Sequence, residues 1–296
     1  MNNNLVSSMI DVDKVKRQQK IMHTVVTVAI YAFLAIMALI VVFPFYFMII
    51  SSFKTLDEYN SPVPTLWPQE FYMYNYIRAY EVANLGRTFV NTLIVGISST
   101  LLSLVVTILS AFAFARLEFK GRDLIFSLLM ATMMVPGELF TITNYQTVSA
   151  WGMTNTYSVL VVPFLVSIYY IYLLRQNFKQ IPNELYLAAK VDGTSDLKYL
   201  VKVMIPLSMP TLITITILKL MGAWNSYVWP RLVANDEAHK LITNGLRGAD
   251  FTDNAGFTDF PAQMAAVVIV SIPLFLVFIF LRKYIMRGVS RSGIKG

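Results

Sequence analysis

Six stretches of this chain carry about 20 consecutive, mostly apolar residues, the length a helix needs to cross the hydrocarbon of a bilayer. They fall at 25–50, 89–115, 124–142, 157–174, 203–224 and 262–281. A chain in hydrocarbon must satisfy its own backbone N–H and C=O groups, so runs of this length are read as helices. Composition agrees. The 296 residues are 56% apolar and 14% charged, with mean hydropathy +0.58. An ordinary soluble domain has about 45–50% and 25%. A soluble globular domain is disfavoured and a disordered chain is excluded. The first run exceeds the roughly 7–15-residue core of a signal peptide, and no small-residue cleavage site follows it. It reads as a retained span.

Lysine and arginine sort the spans into a topology. The N-terminal segment (Lys14, Lys16, Arg17, Lys20), the 116–123 loop, the 175–202 loop and the segment from Arg282 hold 17 of the 24 basic residues. The intervening segments 51–88, 143–156 and 225–261 hold 6. Basic residues beside spans stay cytoplasmic. The expectation is an all-α membrane protein with six transmembrane helices and both termini cytoplasmic. It comprises a tail at 1–24, a membrane domain at 25–281 and a tail at 282–296. The outer segments carry nine acids against their six bases. The net charge of +7 therefore reflects orientation in lipid and needs no nucleic-acid partner.

Chemistry is sparse. Without cysteine there is no disulfide, thiolate metal site or cysteine nucleophile, and His23 and His239 alone give no histidine-built metal site. No metal ligand is assigned. Glu138 and Lys219 are the ionisable residues well inside the spans, where charge is costly and faces protein or water. Both sit about 15 positions along their spans, roughly 22 Å from the cytoplasmic side. Opposite charge at equal depth points to a pair along a pathway. The alternative is that Lys219 snorkels outward while Glu138 faces water or another subunit. Pro136-Gly137 marks a local helix break. The 51–88 segment is aromatic (Trp67, Phe71, Tyr72, Tyr74, Tyr76, Tyr80), which fits an interfacial belt or a surface that receives a partner or substrate.

The 175–202 loop carries the most specific pattern. Pro182 suits the first turn of a helix. Leu185, Ala188 and Ala189 recur at i, i+3 and i+4, giving one apolar face. Gly193 suits a left-handed C-terminal cap. Thr194 or Ser195 can cap a second helix, with Asp196 favourable in its first turn. A helix of about nine residues is marginal alone, so this one reads as a docking element for a groove on another protein.

Pro182-x-Glu184-Leu185, Ala188-Ala189-x-x-Asp192-Gly193 and Pro206-Leu207-x-x-Pro210 together resemble the coupling-loop signature of permease subunits in ATP-binding-cassette (ABC) importers. Three further stretches resemble the carbohydrate branch: Ala113-Phe-Ala-Arg-Leu-Glu-Phe-Lys-Gly121, Trp224-Asn-Ser-Tyr-Val-Trp-Pro230, and the tail from Gly288 to Gly296. The tail is similar to that of the second permease of maltose-type, type I, binding-protein-dependent systems.

The resemblance implies a permease fold with a cytoplasmic coupling helix in a bacterial cytoplasmic membrane. The permease would form half of a translocation pathway for a sugar or oligosaccharide. The implied partners are a second permease in a heterodimer, two ATP-binding subunits and an extracytoplasmic sugar-binding protein. ATP and Mg would sit on the ATP-binding subunits, with no cofactor on this chain. The chain lacks a Gly-x-x-x-x-Gly-Lys-Ser/Thr phosphate loop, consistent with a non-catalytic permease. ATPase coupling is implied for Pro182, Glu184, Leu185, Leu187, Ala188, Ala189, Asp192 and Gly193. Contact with the ATPase subunits is implied for Gly288, Ser290, Gly293 and Lys295. Leu187 departs from the glutamate that the family usually has before the paired alanines, and Glu184 on nearly the same face is the candidate to replace it. Trp224, Asn225 and Tyr227 join Glu138 and Lys219 as pathway candidates, because aromatic faces stack on sugar rings and an amide bonds hydroxyls. An interfacial anchor is the alternative for the aromatic pair. An amino-acid or peptide importer is the alternative cargo class.

Overall fold

The computed structural model describes residues 3–252 and 256–290. The described residues are overwhelmingly helical, with one isolated antiparallel bridge between Thr252 and Thr258. They divide into two compact units, residues 1–75 with 259–265, and residues 76–258 with 266–296.

In the first unit, α1 runs Asn3–Ser51. The chain has no Gly or Pro before Pro44, so nothing separates the expected tail at 1–24 from the span, and the two form one helix. From Val15 onward its side chains are largely exposed until Ile50 and Ser51, which are buried with the following Ser52. The following segment carries the short α2 (Leu56–Tyr59) and is internally bonded. Asn75 Nδ2 donates to Ser52 O at 2.9 Å and Lys54 O at 2.7 Å. The buried Lys54 ammonium donates to Thr65 O and lies 5.3 Å from the Phe47 ring centroid. Trp67 and Phe71 pack edge to face yet stay exposed.

The second unit is organised around α4 (Leu85–Arg116), which follows most of α3 (Tyr74–Val82). Its buried face holds Thr88, Asn91, Thr92, Gly96, Ser99, Thr100, Ser103 and Thr107, while Leu93, Ile97, Leu101 and Leu109 point outward. A water-soluble helix would do the reverse. In hydrocarbon the outward leucines cost nothing, and small inward residues let neighbouring helices approach closely. The neighbours are α8 (Ile168–Lys179) and α12 (Met209–Trp224).

Three expected spans are not straight. Span three breaks into α5 (Arg122–Thr132) and a 3₁₀ turn, Gly137–Phe140, leading into α6 (Thr141–Ala150), bent by 83°. Pro136 stands at the break with an extended ψ of 127°, which also makes much of the expected 143–156 loop helical. Span four joins α7 (Tyr157–Val161) and its 3₁₀ extension Val162–Phe164 to α8 with a 46° bend. Pro163 has no N–H to continue the helix. Span five bends by 81° at Ser208, between Pro206 and Pro210. Among the described residues there are thus three helices long and apolar enough to cross a membrane, or up to six if each bent pair is one span.

The remaining elements are α9 (Asn183–Val191), α10 (Asp196–Tyr199), a π-helical turn at Leu200–Met204, α11 (Ile205–Leu207), α13 (Val228–Val233), α14 (Ile242–Gly248) and α15 (Phe260–Ser290). α15 continues past the expected boundary at 281.

α14 packs on α4 through Gly245. A Cβ there would lie 2.7 Å from Thr88 Cγ2 and 3.0 Å from the Ala83 carbonyl oxygen. Gly245→Ala should destabilise the fold by about 1–3 kcal/mol and lower the thermal unfolding temperature of the purified protein. Gly248→Ala, with nothing within 4 Å, is the control that should leave it unchanged.

Candidate functional site

Beyond the end of α8 the loop forms the expected helix, turn and helix, with the start shifted by one residue. Pro182 occupies the N-cap of α9 at φ −54° and ψ 135°, one position before the first turn. At the other end Gly193 has φ +71°. Its N–H donates to Lys190 O at 3.0 Å, and Thr194 N–H reaches back to Ala189 O at 2.8 Å. These are the two bonds of a Schellman cap. Ser195 holds the N-cap position of α10, without a side-chain cap bond.

The inner face of α9 is fastened to α10. Tyr186 packs on Tyr199 with centroids 5.1 Å apart and donates its hydroxyl to Asp196 at 2.7 Å. Lys190 pairs with Asp196 at 2.7 Å. That ammonium and the Tyr186 hydroxyl hold the Asp196 carboxyl below its ordinary value. Its stabilising contribution is therefore present above the ordinary carboxylate range and is lost as pH falls through the lowered value.

The expected apolar face is rotated. Ala189 turns inward with Tyr186, while Leu185, Leu187, Ala188 and Val191 are exposed alongside Glu184 and Asp192. Val191 is 88% exposed. The free face of α9 is thus four apolar side chains and two acids, with no base among them.

Two arginines tie this loop to the spans. Arg116, at the end of α4, is buried and donates to Phe178 O at 2.8 Å and Ile181 O at 2.5 Å. Arg175 donates to Phe114 O at 3.0 Å, meets Asp123 at 3.5 Å and lies 3.9 Å from the Phe126 ring centroid. The bonds run both ways between the end of α4 and the end of α8.

A second site lies higher in the same unit. A cavity of about 340 Å³ opens beside the 162–168 break. It is lined by Ser99 of α4, Phe164 and Ser167 of the break, Tyr170 of α8, Lys219 of α12 and Trp229 of α13. Pro163 cannot donate to Val159 O, and the Trp229 indole does so instead at 2.9 Å. Ser167 caps α8 in an extended conformation, and the Lys219 ammonium takes Phe164 O at 2.5 Å. Non-helical backbone at membrane depth is tolerated where it is buried in protein or lines an aqueous cavity.

Residues 103–291 match the family described as binding-protein-dependent transport system inner membrane component. The chain belongs to that family. It is a transport permease, an inner-membrane component rather than a catalytic subunit. The diacetylchitobiose uptake system permease protein NgcG of Streptomyces coelicolor is 28% identical over 264 residues, covering 88% of this chain and 87% of NgcG. The polygalacturonan/rhamnogalacturonan transport system permease protein YtcP of Bacillus subtilis is 29% identical over 280 residues, covering 90% and 97%. The fold matches a chain from the crystal structure of a bacterial ABC transporter involved in import of the acidic polysaccharide alginate. The TM-score is 0.81 at 22% identity, covering 88% of this chain and 96% of that one.

Within this permease the sequence-derived pathway residues do not converge. Lys219 lines the cavity and bonds Phe164 O. Glu138 is exposed on the 3₁₀ turn after Pro136, and among the described residues no ion pair joins the two. Equal depth assumes straight helices, and the spans that carry these residues are bent by 83° and 81°. Trp224 is buried rather than free for stacking. It packs edge to face on Phe89 at 5.5 Å and donates its indole N–H to Val270 O at 3.2 Å. Asn225 donates to Met221 O at 2.9 Å within its own helix end. Tyr227 is held between Arg231 and Arg247, whose guanidinium carbons lie 5.6 and 4.4 Å from its ring centroid. Arg231 also donates to its hydroxyl, which lowers the phenol below its ordinary value. Gly288 and Ser290 lie on the last turns of α15, and Gly293 and Lys295 lie outside the described residues.

Arg175, Tyr170 and the Ser99 hydroxyl have no separate signature in the sequence, and Arg116 lies within the Ala113–Gly121 stretch without a role of its own there. The usable signal for the arginines is a cation at a span end with no acid at helical spacing. Arg116→Met keeps length and removes the donors, costing Ile181 O its arginine partner at about 1–3 kcal/mol, while Phe178 O keeps the Ile181 N–H at 3.2 Å. Amide hydrogen exchange should accelerate across 176–195 while the middle of α4 stays protected. Unchanged exchange in that loop would refute the tie.

Proposed function

We propose that this permease forms half of the translocation pathway of an ATP-driven sugar or oligosaccharide importer and that α9 docks it to an ATPase subunit. On this reading each bent pair is one span, giving six. Both termini and α9 face the cytoplasm, as the distribution of basic residues supports. The observation that carries the proposal is the free face of α9. Leu185, Leu187, Ala188 and Val191 are exposed around Glu184 and Asp192, on a helix whose other face is fully engaged.

A helix-in-groove contact uses such a face, and its two acids call for a basic rim on the partner. Leu187 replaces a polar contact with an apolar one, so docking rests on shape and burial with Glu184 as the charged contribution. Asp192 and Gly193 fix the end of the helix and Pro182 its start. A heterodimer with a second permease, two ATP-binding subunits carrying ATP and Mg, and an extracytoplasmic binding protein complete the importer. Gly288, Ser290, Gly293 and Lys295 would contribute a further ATPase contact. NgcG and YtcP are named for saccharide systems, which favours carbohydrate over amino-acid or peptide cargo.

The test is saccharide uptake into proteoliposomes holding the assembled importer and its binding protein. ATP-dependent accumulation is expected, and uptake indifferent to ATP would reject the reading. Gly193→Val separates coupling from folding. Open space surrounds its Cβ position, so the penalty is confined to the left-handed backbone, about 1–2 kcal/mol. ATP hydrolysis should persist while uptake falls about tenfold, with Gly193→Asn close to normal. Coupled transport by Gly193→Val at the normal rate would remove α9 from the mechanism.

A further inference from the structure

The cavity beside the 162–168 break carries a charge that nothing in its wall balances. An ammonium has three donors, and the structure uses one of those of Lys219, on Phe164 O. The lining residues include the hydroxyls of Ser167, Ser226 and Tyr170 and no carboxylate, while the Ser99 hydroxyl is already given to Gly96 O at 3.3 Å. Glu138 does not approach, as shown above. A cation inside a span without an acid partner is costly, and a few hydroxyls stand beside it in a largely apolar wall, which suits a guest that brings its own negative charge.

We propose that this cavity is a pathway subsite for an acidic saccharide, in which Lys219 receives the sugar's carboxylate. The proposal rests on the sugar-permease reading above and names the substrate class. At about 340 Å³ the cavity is at the small end of ligand sites, sized for a single sugar unit. Phe164, Tyr170 and Trp229 line the cavity with the charge, and Trp229 is held edge to face against Phe164 at 5.9 Å. A single lysine with two spare donors matches one carboxylate. A phosphate dianion would call for more cationic donors.

A second feature points to the same class independently. Tyr227 and Arg231 directly follow the lining residues Ser226 and Pro230 in the chain. Arg231 and Arg247 both stack on Tyr227, and neither is paired with a carboxylate among the described residues. Exposed guanidinium groups with free donors bind carboxylates in bidentate fashion and raise the local concentration of anions.

The experiment measures equilibrium binding of galacturonate, galactose and inorganic phosphate to the assembled transporter in lipid nanodiscs. The wild type should bind galacturonate about tenfold more tightly than galactose, the worth of one charge-assisted bond. Lys219→Met should bring the two sugars to parity, and Lys219→Arg should keep the preference. Equal binding of the two sugars by the wild type needs no variant and overturns the proposal. So does a preference that survives Lys219→Met. If Lys219→Met fails to assemble, Arg231→Gln with Arg247→Gln should weaken galacturonate binding selectively, and an unchanged preference there counts against the proposal. Lys219-dependent binding of phosphate with neither sugar bound would overturn the saccharide assignment and the sugar-permease reading together. Galactose bound as well as galacturonate would overturn the subsite alone.

Discussion

Backbone carbonyls released at helix breaks must find donors inside the protein, because hydrocarbon offers none. Much of this permease follows from that obligation. Pro163 and Ser167 interrupt span four, and Trp229 and Lys219 answer with donors to Val159 O and Phe164 O. The ends of α4 and α8 exchange arginines, Arg116 onto Phe178 and Ile181 and Arg175 onto Phe114. Asn91 of α4 donates to Ala238 O and Lys240 O at 2.9 Å, pinning the connection that precedes α14. Arg116, Arg175, Lys219, Asn91 and Trp229 are thus spent as donors to backbone carbonyls of other elements. A break, the donor that repairs it and the cavity left beside it arise together.

The same economy explains α4. Its hydroxyl and glycine face is buried, and its leucines point outward. Hydroxyls such as Thr92 and Ser98 return their bonds to carbonyls three or four residues back. They occupy little volume, so the helices they face approach closely. The apolar exterior that results would aggregate in water and is at home in lipid.

Legibility of the sequence follows the range of the interactions. The α9 turn is readable because Pro182, Gly193 and Asp196 act within a few residues of themselves. The family signature is readable for the same reason. Its rotation is not, because the inward turn of Ala189 depends on Tyr199 and the core beneath it. The break in span three is announced by Pro136-Gly137. Its 83° angle depends on packing beyond the dipeptide. The pairing of Glu138 with Lys219 fails because it assumed straight rods. Trp224 shows the limit of composition: a tryptophan in an aromatic motif has the chemistry to stack on a sugar, and its indole goes to Val270 O instead.

The α9–α10 hairpin is closed by contacts about a dozen residues apart or less: Tyr186 on Tyr199, Lys190 on Asp196, and the cap at Gly193. Such short loops close quickly and do not wait for distant parts of the chain to meet. The hairpin can take its shape while the spans are still inserting. The turn and its cap are therefore properties of the hairpin itself, while the core under Tyr186 and Ala189 selects the outward face and the grip of Arg116 on Ile181 fixes where it points.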